Sequence, residues 1–360
     1  MTTTSERLSE TLTREVSKRV SQSVFDGSPL RVVLLVDVYD GAQQQFLEAY
    51  EQLCAQVASV PGHVSDQLCQ SIENPSQWLI TSEWESAPPF LTWVNSEEHV
   101  RMVEPLHSCV RDTRSLRFHI VRETGGASAA EKSGNRRLQT HPRIGDGVIR
   151  HALTFTVKPG SEEKVAKLLA DYDSPEAQVD ETTRLCRTSL FMQGNRVVRA
   201  IEVRGDLLAA LRHVAQQPEV RAVEEAINPY LEQDRDLDDQ ESARMFFTRA
   251  ALPAVHHVSA SERPEETRLA LFYPARQDQG MRLAELLASC DQAASEDPSS
   301  EVLRSTVFQR DDVVVRLVDV RGKDVEALPR DARAAAEAKK LLAGAAARMD
   351  LVTDRRSPEA

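Results

Sequence analysis

Two histidines and one tryptophan-bearing strand are where this sequence could do chemistry. Within Gln77–Trp84, the residues Trp78, Ile80, Ser82 and Trp84 share one face by the two-residue period of an extended chain. Two indoles on a common face can wall in a flat aromatic ligand. His63 follows the Pro61-Gly62 turn at the mouth of another strand, and His99 sits on the helical stripe His99, Met102, Val103, Leu106, Val110. Neutral imidazole is a base near physiological pH, so either histidine can take a proton from a weak acid. Tyr39 and Arg117 are candidate donors to ligand hydroxyls. Each residue also has a plainer reading: core or interface for Trp78 and Trp84, a hydrogen-bonded core position for His99, solvent-facing strand positions for Tyr39 and Arg117.

The rest of the composition narrows the chemistry. Five cysteines, widely spaced and without a CxxC pair, fit neither a disulfide framework nor a zinc site, and they suit a reducing cytosol. No glycine-rich dinucleotide fingerprint, HExxH or two-histidine-one-carboxylate spacing stands in the chain. A formal net charge of −12 argues against partners bound through phosphate, whether nucleic acid or an anionic membrane surface. The N-terminus lacks the apolar core of a secretory signal, and the longest apolar run is too short to span a bilayer. The expected setting is the cytoplasm. Hydrophobic residues make up 41% of the 360, enough for several small cores.

Those residues need elements to position them. Leu8, Leu12, Val16, Val20 and Val24 recur every four residues, which predicts an amphipathic helix over 5–25 within an N-terminal segment 1–29. A first unit over 30–123 reads β-α-β-β-α-β, the split βαβ or ferredoxin-like order, with helices near 87–94 and 96–110 and a last strand over 115–123. Residues 124–148 read as a linker rich in Gly, Ser and charge. A second unit spans 149–257, a linker 258–267, a third unit 268–352 and a tail 353–360, with an Ala-rich helix over 330–349. Units two and three are copies: AKLLADYD at 166–173 aligns with AELLASCD at 284–291, and Arg187, Phe191 and Arg199 align with Arg304, Phe308 and Arg316. The recurring arginines argue for structural ion pairs, and His256-His257 falls between units. The fold class expected is α+β: tandem ferredoxin-like domains with antiparallel sheets.

Two stretches resemble known families. Residues 31–123, with PGHVSDQL, PSQWLITSEWES and FLTWVNSEEHV, resemble the antibiotic-biosynthesis monooxygenase (ABM) domain, whose strand-ending Trp, acidic residue and F-x2-H/W-x5-H helix fall on Trp84, Glu85, Phe90, Trp93 and His99. Residues 150–257, with HALTFTVKPG and RTSLFMQGNRVVRAIEV, resemble the SchA/CurD-like family, which accompanies aromatic polyketide and spore-pigment genes. The resemblance implies domains of the dimeric α+β barrel type and a monooxygenase that needs no cofactor, with molecular oxygen as co-substrate. The resemblance places Trp84, Phe90, Trp93 and His99 at the site; joined to the residue chemistry above, the catalytic residues expected are His63, His99 and Trp84, with Trp78, Ser82, Phe90, Trp93, Tyr39 and Arg117 around an aromatic polyketide. Some quinone-forming members carry Asn four residues before the Trp; here Ile80 stands there. A cyclase or aromatase, or a non-catalytic scaffold of the same pathway, are the competing readings. The partners expected are a second copy joined through the first units, and polyketide synthase or cyclase proteins.

Overall fold

The protein, seen in a computed structural model, is described over residues 20–121, 145–233, 235–259 and 266–357. It divides into two bodies, residues 23–142 and residues 1–22 with 143–360. Most of the helix expected over 5–25 lies outside the described residues. Its last part does not hold: β1 (Val20–Ser23) is a strand. Val20 and Val24 carry β-branched side chains that suit a strand as well as a helix.

The first body runs β2 (Leu30–Val38), α1 (Gln43–Val57), β3 (His63–Gln70), β4 (Gln77–Trp84), α2 (Ala87–Val94), α3 (Glu97–His107) and β5 (Val110–His119). The strands form an antiparallel sheet in the order β3-β4-β2-β5, which is the ferredoxin-like arrangement. Val36 and Ile80 of the sheet pack with Phe46 and Tyr50 of α1 and Leu106 of α3. The opposite face is open, with Leu35 and Phe118 exposed at 43% and 51%. One boundary differs from expectation. Strand β5 begins at Val110, so residues 110–114, which the sequence divides between helix and loop, already pair with β2.

The second body holds both copies of the repeat. The first is β6 (Val148–Thr156), α4 (Glu162–Ala170), β7 (Arg184–Gln193), β8 (Arg196–Arg204), α5 (Leu207–Gln216), α6 (Pro218–Ile227), α7 (Gln240–Ala250) and β9 (Ala251–Ser259). The second is β10 (Thr267–Pro274), α8 (Gly280–Glu296), β11 (Val302–Arg310), β12 (Val313–Val320), α9 (Ala332–Leu341) and β13 (Ala347–Arg356). The order β9-β11-β12-β10-β13-β7-β8-β6 closes because β6 pairs back onto β9, and β1 attaches to β9 as an extra strand. The fourth strand of each copy crosses to the second strand of the other, β9 onto β11 and β13 onto β7. The result is an eight-stranded antiparallel barrel made from one chain. All eight strands contribute to one apolar cluster, which includes Phe191, Leu252, Phe308 and Met349, as only an interior can.

Two expectations are corrected here. His256 and His257 are not in a connector but in β9, both 3% exposed, and Val258 and Ser259 of the supposed linker continue that strand. The Ala-rich helix ends at Leu341, and residues 347–356, including 353–356 of the supposed tail, form β13. Among the described residues, no helix is long and apolar enough to cross a membrane.

The recurring arginines are all paired. Arg199 bonds Glu224 at 2.8 Å and Arg316 bonds Asp291 at 2.5 Å, each behind the sheet. Arg187 bonds Asp354 at 2.6 Å and reaches Asp319 at 3.4 Å, while Arg304 bonds Glu266. Asp319 also takes Arg268 at 2.7 Å, and Arg268 takes Glu202 at the same distance. Burial pushes the Asp319 carboxyl up, but Arg268, Arg187 and Arg304 outweigh it and hold it at about 2. Removing a buried carboxylate shared among three arginines leaves a net buried positive charge, because Glu202, Asp354 and Glu266 each answer only in part, at a cost of about 3–5 kcal/mol. Asp319→Ala is therefore expected to lower the barrel's unfolding free energy by that amount, read as a fall in the urea midpoint with the slope unchanged. Because the folded carboxyl sits below its ordinary value of 3.8, its contribution is complete above pH ~4 and is lost as pH falls toward 2. Denaturant titrations at pH 5, 4 and 3 check the trend.

Candidate functional site

The first body places its aromatic and imidazole residues between sheet and helices. Trp84 ends β4, where its register partners are Leu30 of β2 and His63 of β3. It is wholly buried. Its indole stacks on Trp93 at 5.3 Å between centroids and 28° between planes, and meets Phe90 edge-on at 5.3 Å. His63 stands edge-on to it at 5.2 Å, and His99 stands edge-on to Trp93 at 4.3 Å. The Trp84 Nε1–H donates to Ser82 Oγ at 3.0 Å. Ser82 is thus an anchor that fixes the indole's orientation, one strand period before it.

Local sequence explains these positions. Gly62 has φ of +84°, and a Cβ there would stand 2.7 Å from Cβ of Pro89, so only glycine lets the start of β3 approach α2. The Glu85 N–H donates to the Gly62 carbonyl at 2.8 Å and locks that approach. Ser96 caps α3: its Oγ accepts from the His99 N–H at 3.1 Å and donates to the Trp93 carbonyl at 2.7 Å. One side chain therefore sets both members of the Trp93–His99 contact. Glu97 and Glu98 follow in the first turn, where the helix dipole favours negative charge.

The electrostatics separate the two histidines. Burial, followed by the charges of Arg117 and His107, pushes His99 down to about 4. It is a neutral donor and acceptor at pH 7, and a weak base. Its Nδ1 and the Trp93 Nε1 are buried with no hydrogen-bond partner among the described residues. His63 Nε2 lies 2.7 Å from Asp66 Oδ2, with the side chains 7% and 15% exposed. The oxygen stands off the axis of the ring N–H. Burial raises the Asp66 carboxyl, and His63 opposes that shift. Arg117, on β5 opposite Val32, is exposed and lays its guanidinium over the Phe90 ring at 5.3 Å.

Not every expected residue joins this cluster. Trp78 shares a sheet face with Trp84, but it packs on Phe46 at 5.4 Å in the core under α1, together with Ile80. Six residues of strand at about 3.3 Å each separate the two indoles by roughly 20 Å, too far for one wall. The Trp78 Nε1 is also unpartnered, so an orphaned indole nitrogen alone does not mark the site. Tyr39 lies beyond the opposite end of β2, 45% exposed with Arg111 over its ring at 5.4 Å. Asp66 is the residue that the sequence did not announce. A bulge between His63 and Ser65 shifts the strand's alternation, so that residues three apart meet on one face.

This body is a ferredoxin-like domain, and its residues 29–105 match the family described as antibiotic biosynthesis monooxygenase; residues 148–260 match the SchA/CurD like domain. The whole chain belongs to the SchA/CurD family of Streptomyces proteins. It is 62% identical to the 42.8 kDa protein in the whiE locus of Streptomyces coelicolor, covering 92% of this chain and 84% of that one. It is 56% identical to protein SchA of Streptomyces halstedii (95% and 97% covered) and 58% identical to polyketide synthase CurD of Streptomyces cyaneus (95% and 99%). Among solved structures, SnoaB, a cofactor-independent oxygenase from Streptomyces nogalater, is 18% identical over 27% of this chain and 96% of its own, with a TM-score of 0.25.

The histidine geometry makes a prediction. Since His99 sits at about 4 when folded, below its ordinary 6.5, its neutral burial stabilises the body fully above pH 6.5 and less as pH falls toward 4. An imidazole proton titration should show His99 unchanged from pH 8 to 5. A midpoint near 6.5 would remove the burial argument.

Proposed function

We propose that the first body is a cofactor-independent oxygenase acting on an electron-rich aromatic polyketide, oxidising an anthrone to a quinone or hydroxylating a ring. The observation that carries this reading is the single cluster in which the stacked Trp84–Trp93 pair, Phe90, two imidazoles and an arginine converge. The match to the monooxygenase family over 29–105 and the names of the relatives support it. The relative named a polyketide synthase also supports contact with synthase or cyclase proteins of such a pathway.

The chemistry follows from the substrate. A phenol or anthrone, once deprotonated, is electron-rich enough to reduce dioxygen itself, so the protein's tasks are a base, a dry aromatic pocket and a counter-charge for the anion. His63 is the base, and the aromatic rings hold the flat substrate. Arg117 stabilises the phenolate, with Trp93 Nε1 and His99 Nδ1 to bond its oxygens. In the overall reaction one oxygen atom becomes the new carbonyl. The other leaves as water with the two methylene hydrogens of the anthrone.

The repeat supports assigning the site to the first body. The register position of the His63–Trp84 pair, immediately before the strand bulge, is held by Leu185–Val203 in the second unit and by Val302–Val320 in the third. Neither pair offers an imidazole or a ring. One observation favours a non-oxidative reading, a cyclase or aromatase: Ile80 is buried in the apolar core, so no polar group comes from that position.

Incubation with 1,8-dihydroxyanthrone in air is expected to give the anthraquinone, with no stoichiometric metal, flavin or haem in the protein, and Trp84→Ala is expected to lower turnover by roughly 10²-fold with circular dichroism retained. Conversion of a poly-β-ketone without air would instead favour the cyclase. No conversion of either would leave the scaffold reading.

We further propose that first bodies pair. Their sheet has the strand order of each barrel half, an open face bearing Leu35 and Phe118, and edge strands β3 and β5 whose outer edges are unpaired among the described residues. Light scattering is expected to give about twice the chain's 40.1 kDa. A mass near 40 kDa would rule out the pair.

A further inference from the structure

Asp66 is a half-buried acid at a position where an acid is costly. Its carboxyl lies under α1 with the Tyr50 and Cys54 side chains near it, and burial raises it. Isolated buried carboxylates are avoided unless they are paired. The group that answers this one is His63, 2.7 Å away, whose ring meets the wholly buried Trp84 edge-on. The bulge at His63/Ser65 exists in the strand where an unbroken alternation would send the two side chains to opposite faces. Gly62 fixes the backbone just before the histidine. Four features of the local fold thus converge on one imidazole–carboxylate contact beside the aromatic cluster.

We infer that Asp66 is a positioning residue: its carboxylate, 2.7 Å from Nε2 but off the ring N–H axis in this structure, aligns with that N–H when substrate binds, holds the His63 proton on Nε2 and leaves Nδ1 as the lone pair that takes the substrate's proton. This rests on the oxygenase reading for its role in turnover, though not for the dyad itself. The proton moves to Nδ1 from the hydroxyl of the anthrone's enol tautomer, where it is one of the two former methylene hydrogens, giving an imidazolium whose charge the Asp66 carboxylate offsets. The same proton can then leave with the water product. Tyr50 and Cys54 of α1 are protonated neighbours of Asp66, and Glu85 faces the Gly62 turn, so Asp66 is the anionic group placed directly on the ring. His99 cannot substitute as the base, because burial and Arg117 hold it neutral and weakly basic.

The test uses the full chain with ¹⁵N-labelled histidine. Long-range proton–nitrogen spectra report which ring nitrogen carries the proton, and His63→Gln assigns the signal. In the wild type at pH 8 the Nε2–H form should dominate for His63. In Asp66→Ala the two tautomers should mix, and Asp66→Glu should restore the preference in part. If Asp66→Ala does not fold by circular dichroism, Asp66→Leu, which has no acceptor and a similar volume, takes its place. A wild-type His63 carrying its proton on Nδ1, or a tautomer unchanged in the variant, overturns the dyad whether or not the protein oxidises anything. With 1,8-dihydroxyanthrone as probe, the variant's kcat should fall by ~10²-fold while KM stays within about two-fold. An unchanged kcat overturns the positioning role alone. A wild type without oxidation refutes the oxygenase reading, and the ring spectra still decide the dyad.

Discussion

A four-stranded sheet with helices on one side is an unfinished object. One face and two edges remain open, and backbone groups and apolar side chains there must find partners. The second body meets that constraint inside a single chain. Strands β9 and β13 each leave their own sheet and complete the other copy's edge, and the two open faces become one interior. Everything else in that body follows from the closure. The interior has an apolar part around Phe191 and Phe308, the positions that recur in the repeat, and a charged part around Asp319. An interior so filled is a core, and it leaves the sheet–helix side as the place where ferredoxin-like units can diverge.

They have diverged there. In the first body the space under α2 and α3 holds rings and imidazoles. In the second unit the corresponding side is closed by Val165, Leu169, Val223 and Ile227 around the Arg199–Glu224 pair. In the third it is closed by α8, whose Asp291 pairs with Arg316. A buried ion pair and an aromatic–imidazole cluster are alternative fillings of the same location.

Much of this was legible in the sequence, for reasons that particular residues show. The hairpin β11–β12 and its copy β7–β8 carry β-branched runs and a short turn, so local pattern suffices. Strands β9 and β13 were not legible. Strand β9 contains Pro253 and two histidines, and β13 follows an alanine run whose helix propensity hides the extension beyond Gly344. Their identity as strands comes from partners more than 40 residues away, Thr306 for His257 and Phe191 for Leu351. Strand period gave the face of Trp84 and the helical stripe gave His99, while Phe90 and Trp93 were readable only through the resemblance to the monooxygenase family. Trp78 was assigned the right face but the wrong neighbours, since period says nothing of distance along a strand. Asp66 was hidden by the bulge, an irregularity that no periodicity can report.

Glu266 shows what a fused pair can do that two identical chains cannot. It precedes β10, is buried, and bonds Arg304, Arg356 and, more distantly, Arg187. Those arginines come from β11, β13 and β7, so a single carboxylate serves both halves at once. In a symmetric assembly any such residue would appear twice, and two like charges would crowd the axis. Covalent fusion removes that duplication. It also removes dilution as a route to dissociation, so this barrel cannot fall apart into halves at low concentration and its two copies are free to evolve by separate steps.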